Sequence, residues 1–285
     1  MRDDQAGPGD TAAAAWLAGG GEMGGRIRGL DWASTPLGPT AAWPQSLRSA
    51  VSILLPSKAQ ICLFWGPDLV KLYNDAYIPV LGQKHPGMLG RPAREVWSEI
   101  WDILGPLLRG VIATGDAFRG VDYPFYLERH GFTEETFFDV SYDPVRDESG
   151  KVGGVFCIVS ETTGRVLSER RLRTLRDLGR AREGRSPAEA CTLALGALAS
   201  NPRDVPSVSL YLLDDGGAVA HAVGSVGIPA GGEWSPLDIA LADPRWDLAT
   251  IAQSGRPQVL EAGSAGAGSV AGPPERTLIH PILRA

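Results

Sequence analysis

The sequence predicts an α+β fold: a five-stranded antiparallel sheet with helices gathered on one face, followed by a linker helix and a second, partial α+β domain. Three observations predict it. Phe137–Val145 and Val152–Ser160 alternate with a period of two around a polar turn that contains Gly150, the pattern of an antiparallel hairpin. Ile61–Trp65 and Leu69–Tyr73 form a second pair around Gly66-Pro67-Asp68. The sequence between these pairs is broken by Gly and Pro into short helical pieces, and the last strand hands over directly to a long charged helix.

Residues 1–25 are rich in Gly, Ala and Asp and are expected to be disordered apart from a helical turn at Ala12–Leu17. Residues 26–58 form an N-terminal extension expected to pack on the sheet domain. Pro36, Gly38, Pro39 and Pro44 make its first half irregular. Ser46 is the expected cap of a helix with Leu47, Ala50, Val51 and Leu54 on one face, ended by Pro56.

Residues 59–164 carry the sheet. After the first strand pair, Asn74-Asp75 opens a short helix through Tyr77 and Val80. Arg94–Trp101 starts another, which Gly105-Pro106 is expected to interrupt before Leu107–Ala113 continues. Val121–Leu127 and Glu134–Tyr142 read as strands joined by a turn at Arg129-His130-Gly131. Residues 165–182 are the linker helix. Val166, Leu167, Leu172, Leu175 and Leu178 give an imperfect apolar stripe, and eight arginines over 165–185 face only Glu169, Asp177 and Glu183. That combination predicts a coiled-coil-like dimer linker rather than a nucleic-acid surface. Residues 183–285 follow: a helix from Ser186-Pro187-Ala188-Glu189 with a capping box, a hairpin around Asp214-Asp215-Gly216-Gly217, a helix at Pro244–Gln253, short strands at Gln258–Leu260 and Thr277–Leu283, and a loop at Gly263–Pro274.

Composition narrows the function classes. The chain has 285 residues, 44% hydrophobic and 21% charged, which suits two ordinary globular domains. A net charge of −6 argues against nucleic acid as a partner. Three scattered cysteines, Cys62, Cys157 and Cys191, make neither a disulfide framework nor a zinc cluster, which predicts a reducing compartment. No signal peptide and no apolar run long enough to span a bilayer is evident, so the expected location is cytoplasmic, with no membrane partner.

No motif carries catalysis. Gly19-x-Gly21-x-x-Gly24 fits the dinucleotide pattern but lacks a preceding strand, and is expected to be a flexible loop. His85, His130, His221 and His280 are isolated, and Pro86 disfavours helical geometry at His85, the nearest candidate haem ligand. Cys62 and Cys157 lie in strands and read as buried small hydrophobes. Glu134-Glu135 and Asp147-Glu148 are adjacent pairs expected in solvent rather than in a two-carboxylate site. Neither a nucleophile elbow nor a P-loop occurs, so the chain itself is not expected to be an enzyme.

Residues 61–163 resemble a PAS domain. The parts that carry the likeness are the strand pair ending in Tyr73-Asn74, Leu89-Gly90-Arg91-Pro92 entering a helix, and Val155–Thr163. Glu161-Thr162-Thr163 stands where such domains often end in Asp-x-Thr. Residues 22–47, with Asp31-Trp32, Thr35-Pro36-Leu37-Gly38-Pro39 and Trp43-Pro44-Gln45-Ser46-Leu47, resemble a segment that precedes PAS domains in bacterial sensor proteins, many of them histidine kinases. Residues 183–285 look like the first part of a GAF domain. The resemblance implies a cavity enclosed by Trp65, Tyr77, Trp97 and Phe138 as ligand-binding residues. It implies a signal path through Glu161, Thr162 and Thr163 into Leu172 and Leu175 of the linker helix. The implied protein is a homodimeric sensory module that binds a small ligand or partner and acts on an output domain or response regulator. No cofactor is evident; haem and a photochemical flavin are disfavoured, because the Asn-Cys-Arg-type motif of flavin-photochemical domains is absent. Two alternatives stand: a dimerisation or interaction module without ligand, and the same sensor coupled to a phosphatase or nucleotide cyclase.

Overall fold

The computed structural model describes residue 17, residues 19–261 and residues 276–282. The chain folds as two compact units, Met1–Val166 and Leu167–Ala285. The expected disorder of the first residues and the expected Gly263–Pro274 loop fall largely outside the described residues.

Unit 1 is built on β1 (Gln60–Trp65), β2 (Val70–Tyr73), β3 (Phe118–Leu127), β4 (Glu134–Arg146) and β5 (Val152–Glu161), in the antiparallel order β2-β1-β5-β4-β3. The α+β class and five-stranded sheet expected from the sequence are what the structure contains. The free edge of β2 is covered by Leu89–Pro92: Lys71 N–H donates to the Arg91 carbonyl (2.9 Å) and Gly90 N–H to the Lys71 carbonyl (2.9 Å). That segment removes one edge from exposure to other strands.

Two helices precede the sheet, α1 (Gly21–Gly29) and α2 (Gln45–Leu54). Gly21–Gly24 is therefore helix rather than loop, with Gly19 and Gly20 outside the helix, and part of the stretch expected to be disordered is helical. The reason is long-range: Asp75 accepts from the Met23 N–H (2.7 Å) and Glu22 N–H (3.0 Å), capping α1 from the turn that follows β2. Gly21 is required there, because a Cβ at this position would lie 1.8 Å from the Asp75 carboxylate. The anion at this helix start is a side chain of the protein itself. In α2 the cap is Pro44, with Ser46 inside the first turn. Glu148, expected in solvent, accepts from Ser46 N–H (2.7 Å) and Oγ (3.2 Å) and supplies the missing acceptor. Trp32 and Trp43 pack edge to face at 4.8 Å within the core.

Between β2 and β3 lie α3 (Ile78–Leu81), α4 (Ala93–Val96) and α5 (Trp101–Thr114), with single turns at Asp75–Tyr77, Gly82–Lys84 and Ser98–Ile100. Pro106 lies inside α5 and does not interrupt it, contrary to expectation. As the sixth residue of the helix it gives up the bond to the Asp102 carbonyl, yet the helix runs on to Thr114 with Leu104, Gly105, Leu108 and Val111 buried. Asn74 ties the layers together. Its Oδ1 accepts from Ile61 N–H (3.2 Å) and Tyr77 N–H (3.1 Å), and its Nδ2 donates to the carbonyls of Leu54 (3.2 Å), Ser57 (3.0 Å) and Ala59 (2.8 Å).

The linker helix α6 spans Thr163–Gly179, beginning two residues after β5 ends and two before the expected start, with a 3₁₀ turn at Arg180–Glu183. Its buried residue is Thr174, whereas Leu172 and Leu175 are 64% and 63% exposed. In unit 2, α6 is held by polar contacts. Arg170 donates to both Asp204 oxygens (2.6 and 3.1 Å), and buried Asn201 donates to Thr174 Oγ1 (3.0 Å). The expected capping box opens α7 (Pro187–Ala199), with Ser186 Oγ accepting from Glu189 N–H and the Glu189 carboxylate reaching Arg185 N–H. Strands β6 (Val208–Leu213), β7 (Val219–Val226) and β8 (Asp238–Ala240) form one small sheet; after α8 (Leu248–Ser254), β9 (Gln258–Glu261) and β10 (Arg276–Ile279) form another. Ala220, Ile239 and Trp246 are the core of this unit.

Candidate functional site

Period-two alternation decides what faces the helices of unit 1. On β1 it places Cys62 and Phe64 on that side; on β5, Val155, Cys157 and Val159. All of these but Val155, with Tyr77, Val80, Trp97, Ile100, Phe125, Phe138 and Tyr142, surround an almost wholly apolar cavity of about 30 Å³. That is space for one or two waters. Tyr77, Trp97 and Phe138, expected at such a cavity, all line it. Trp65 does not. It follows Phe64 on β1 and so points to the other face, where its ring packs over Gly153 and Gly154. A Cβ at Gly154 would come within 2.5 Å of that ring.

The sequence reading missed Lys71, which is fully buried beside this cavity. It is paired with Phe64 across β1 and β2, on the cavity side. Its Nζ lies 4.4 Å from the Tyr77 ring centroid, 4.5 Å from Trp97 and 5.2 Å from Phe64, and donates to the Tyr77 hydroxyl (3.2 Å). Aromatic faces take the place of water around the ammonium. Among the described residues no carboxylate pairs with it. Burial lowers the Lys71 pKa to about 8, with Cys62 and Cys157 opposing. Trp97 carries a second cation: Lys84 Nζ lies 4.7 Å from its centroid and donates to Glu99 (2.5 Å) and the Val96 carbonyl (2.9 Å).

Cys62 and Cys157 are directly opposed partners on β1 and β5, and both are fully buried. Burial alone would raise the Cys62 thiol, but a hydrogen bond with Cys157 and the charge of Lys71 outweigh it and lower it to about 7. Burial and the same neighbour push Cys157 well above the ordinary thiol range. Burial likewise raises Tyr77 and Tyr142, so both remain protonated donors.

Of the five expected relay residues, Glu161, Thr162 and Thr163 come together at the end of β5, whereas Leu172 and Leu175 are exposed farther along α6. Glu161 receives a bidentate pair from Arg129, Nη2 at 2.8 Å and Nη1 at 2.9 Å. Thr163 Oγ1 donates to Glu161 (2.9 Å) and accepts from Phe137 N–H (3.0 Å). Thr162 Oγ1 donates to Asp122 (2.7 Å), which also accepts from Arg165 in the first turn of α6. Burial works to raise the Glu161 pKa, but Arg129 and Thr163 prevail and hold the carboxyl below its ordinary value. Asp122 stands at a bulge in β3 with φ 48°, a strained backbone for a non-glycine residue, and its N–H is held by Asp139 (2.9 Å). Neither Arg129 nor Asp122 was singled out by the sequence. The bulge that aims Asp122 at α6 leaves no local pattern, and Arg129 reads as a turn residue. His85, considered as a haem ligand, bridges Tyr73 Oη (2.9 Å) and Glu22 (2.9 Å).

Residues 57–167 match the family model described as PAS fold. No curated protein matches the chain. Among solved structures it is similar to a sensory box sensor histidine kinase from Vibrio cholerae, at 15% identity over 36% of this chain and 81% of that one, with a TM-score of 0.30. It is also similar to an RNA-binding Light-Oxygen-Voltage receptor, at 24% identity over 53% of this chain and 41% of that one, TM-score 0.35. A third is the PAS domain of the histidine kinase ThkA, at 13% identity over 35% of this chain and 98% of that one, TM-score 0.27. The five-stranded sheet and its helices, matched by the family model over residues 57–167, form a PAS domain.

Proposed function

We propose that this chain is a cytoplasmic sensory module in which the state of the PAS cavity biases helix α6, and through it an output domain. The observation that carries the reading is the course of β5. Cys157 and Val159 line the cavity; Glu161, the next residue on that face, anchors Arg129; and α6 begins at Thr163. One strand therefore joins the cavity wall to the helix without a loop. A small apolar ligand that widens the cavity displaces β5 and shifts the population of α6 conformations. The exposed Leu172 and Leu175 then pair with those of a second copy in a homodimer. The output on this reading is a histidine kinase, with a phosphatase or nucleotide cyclase as alternatives, and residues 183–285 serve as a GAF-like module. Among the described residues no helix is long and apolar enough to cross a membrane.

The small cavity favours a second reading, an interaction module whose pocket is filled by its own aromatic side chains. Native mass spectrometry separates the two. Extra mass lost on denaturation, together with a dimer, supports the sensor. A dimer of bare chains supports the interaction module, and a bare monomer contradicts both.

A further inference from the structure

The chemistry around Cys62 and Cys157 does not require a bound ligand. The two are register partners on neighbouring antiparallel strands, their side chains face the same cavity, and both are free thiols. Opposed residues on such strands have Cα atoms about 4.5–5.5 Å apart, within the span a disulfide bridges. Their Cβ atoms, about 4.5–5.5 Å apart, sit at the upper edge of disulfide geometry, so closing the bond draws β5 toward β1. Disulfides closed under such strain are the readily reduced, regulatory kind.

We propose that Cys62 and Cys157 are a redox-active dithiol that hydrogen peroxide converts to a disulfide inside the PAS cavity. The size of the cavity, about 30 Å³, selects the oxidant: peroxide is little larger than the one or two waters that fit, and a glutathione-sized disulfide is excluded. The roles of the two thiols differ. Cys62, held as thiolate by Lys71 and Cys157, is the attacking sulfur, and Cys157, which keeps its proton, is the resolving one. The Cys62 thiolate attacks one peroxide oxygen; the O–O bond breaks, a sulfenic acid forms, and the departing hydroxide takes a proton from the Lys71 ammonium to leave as water. The Cys157 sulfur then attacks the Cys62 sulfur. The S–S bond forms, the S–O bond breaks, and the leaving hydroxide carries off the Cys157 proton as a second water. Lys71 regains the proton that Cys62 gave up. Two thiols are oxidised and one peroxide is reduced to two waters.

The test is made on the full 285-residue chain carrying Cys191→Ser. It is exposed to equimolar peroxide, denatured in a thiol alkylator, and weighed intact and as peptides. The expected product is 2 Da lighter, has Cys62 and Cys157 both protected from alkylation, and reverts with dithiothreitol. With Cys157→Ser added, reaction stops at a sulfenic acid on Cys62 that dimedone captures. With Lys71→Met, oxidation slows at least tenfold. If both cysteines stay fully alkylatable in a chain whose circular dichroism is native, the proposal is overturned. Oxidation of one cysteine without the other, or disulfides only between chains, overturns it equally.

Discussion

Glu161, the last residue of β5, grips Arg129 of the β3–β4 turn through two hydrogen bonds of 2.8 and 2.9 Å, and Thr163 completes the clamp from the first turn of α6. Arg129 is nearly buried, and Glu134 and the Pro79 carbonyl take its remaining donors. The clamp therefore binds the helix start to two strands and to α3 at once.

Removing Glu161 leaves the Arg129 guanidinium with only Glu134 and the Pro79 carbonyl in a half-buried site. Glu161→Gln is expected to destabilise the PAS domain by about 2 kcal/mol, since the site is only partly shielded from water. Urea unfolding followed by tryptophan fluorescence measures it. A shift below about 0.5 kcal/mol would show that the pair is merely a surface contact.

The same pair sets an acid dependence. A carboxyl whose folded pKa is depressed contributes stability above its unfolded pKa, and that contribution is lost as pH falls through the folded value. For Glu161 the loss begins below its ordinary value of 4.5. Between about pH 5 and pH 3 the wild type is expected to lose more stability than Glu161→Gln, narrowing the gap between them. Parallel curves would contradict this.

Lys71 works in the opposite direction. With its folded pKa lowered to about 8 from 10.5, the unfolded chain binds the extra proton between those values, so stability rises with pH across that window. Below it, keeping the buried ammonium charged costs about 3 kcal/mol. Lys71→Met is expected to be about 1–3 kcal/mol more stable than wild type at neutral pH and to lose the rise between about pH 8 and 10. Urea midpoints at two pH values decide it.

Asn74 is fully buried with five hydrogen bonds. Asn74→Ala removes the side-chain partner of the Ile61 amide and of the Ser57 and Ala59 carbonyls, whereas the Tyr77 N–H keeps the residue-74 carbonyl and the Leu54 carbonyl keeps the Ser57 N–H. The expected loss is about 2–4 kcal/mol, read as a lower melting temperature; a loss under about 1 kcal/mol would mean that water replaces the side chain.

The exposed Leu172 and Leu175 lead to a prediction about assembly. Leu172→Glu with Leu175→Glu is expected to leave the PAS domain's stability within about 0.5 kcal/mol and convert a dimer to a monomer by light scattering. An unchanged mass at equal concentration would show that these leucines do not pair.

The sheet was legible because its signals are local: alternation over 137–160, the turn at Gly66, the hairpin around Gly150. Tyr77, Trp97 and Phe138 could be assigned to the cavity from the PAS resemblance, since each falls on an element that faces it. Trp65 is assigned to the cavity by the same resemblance, but it follows Phe64 on β1 and so takes the opposite face, over Gly153 and Gly154. Lys71 stood out only as part of the strand Leu69–Tyr73, although alternation put it on one side with Tyr73. The caps from Asp75 and Glu148, and the bulge that turns Asp122 toward Arg165, join residues far apart in sequence and leave no pattern in it. Pro106 read as a helix break because the burial of Leu104, Gly105, Leu108 and Val111 on either side of it is a tertiary feature with no local signal.

Coupling of the cavity to α6 through β5 is tested by filling the cavity from the helical side, away from the strand, with Val80→Leu, and following hydrogen exchange along α6. Amides from Leu167 to Thr174 are expected to change their exchange rate at least threefold, along with those of β5. If β5 amides respond while those of α6 keep the wild-type rate, the coupling does not exist.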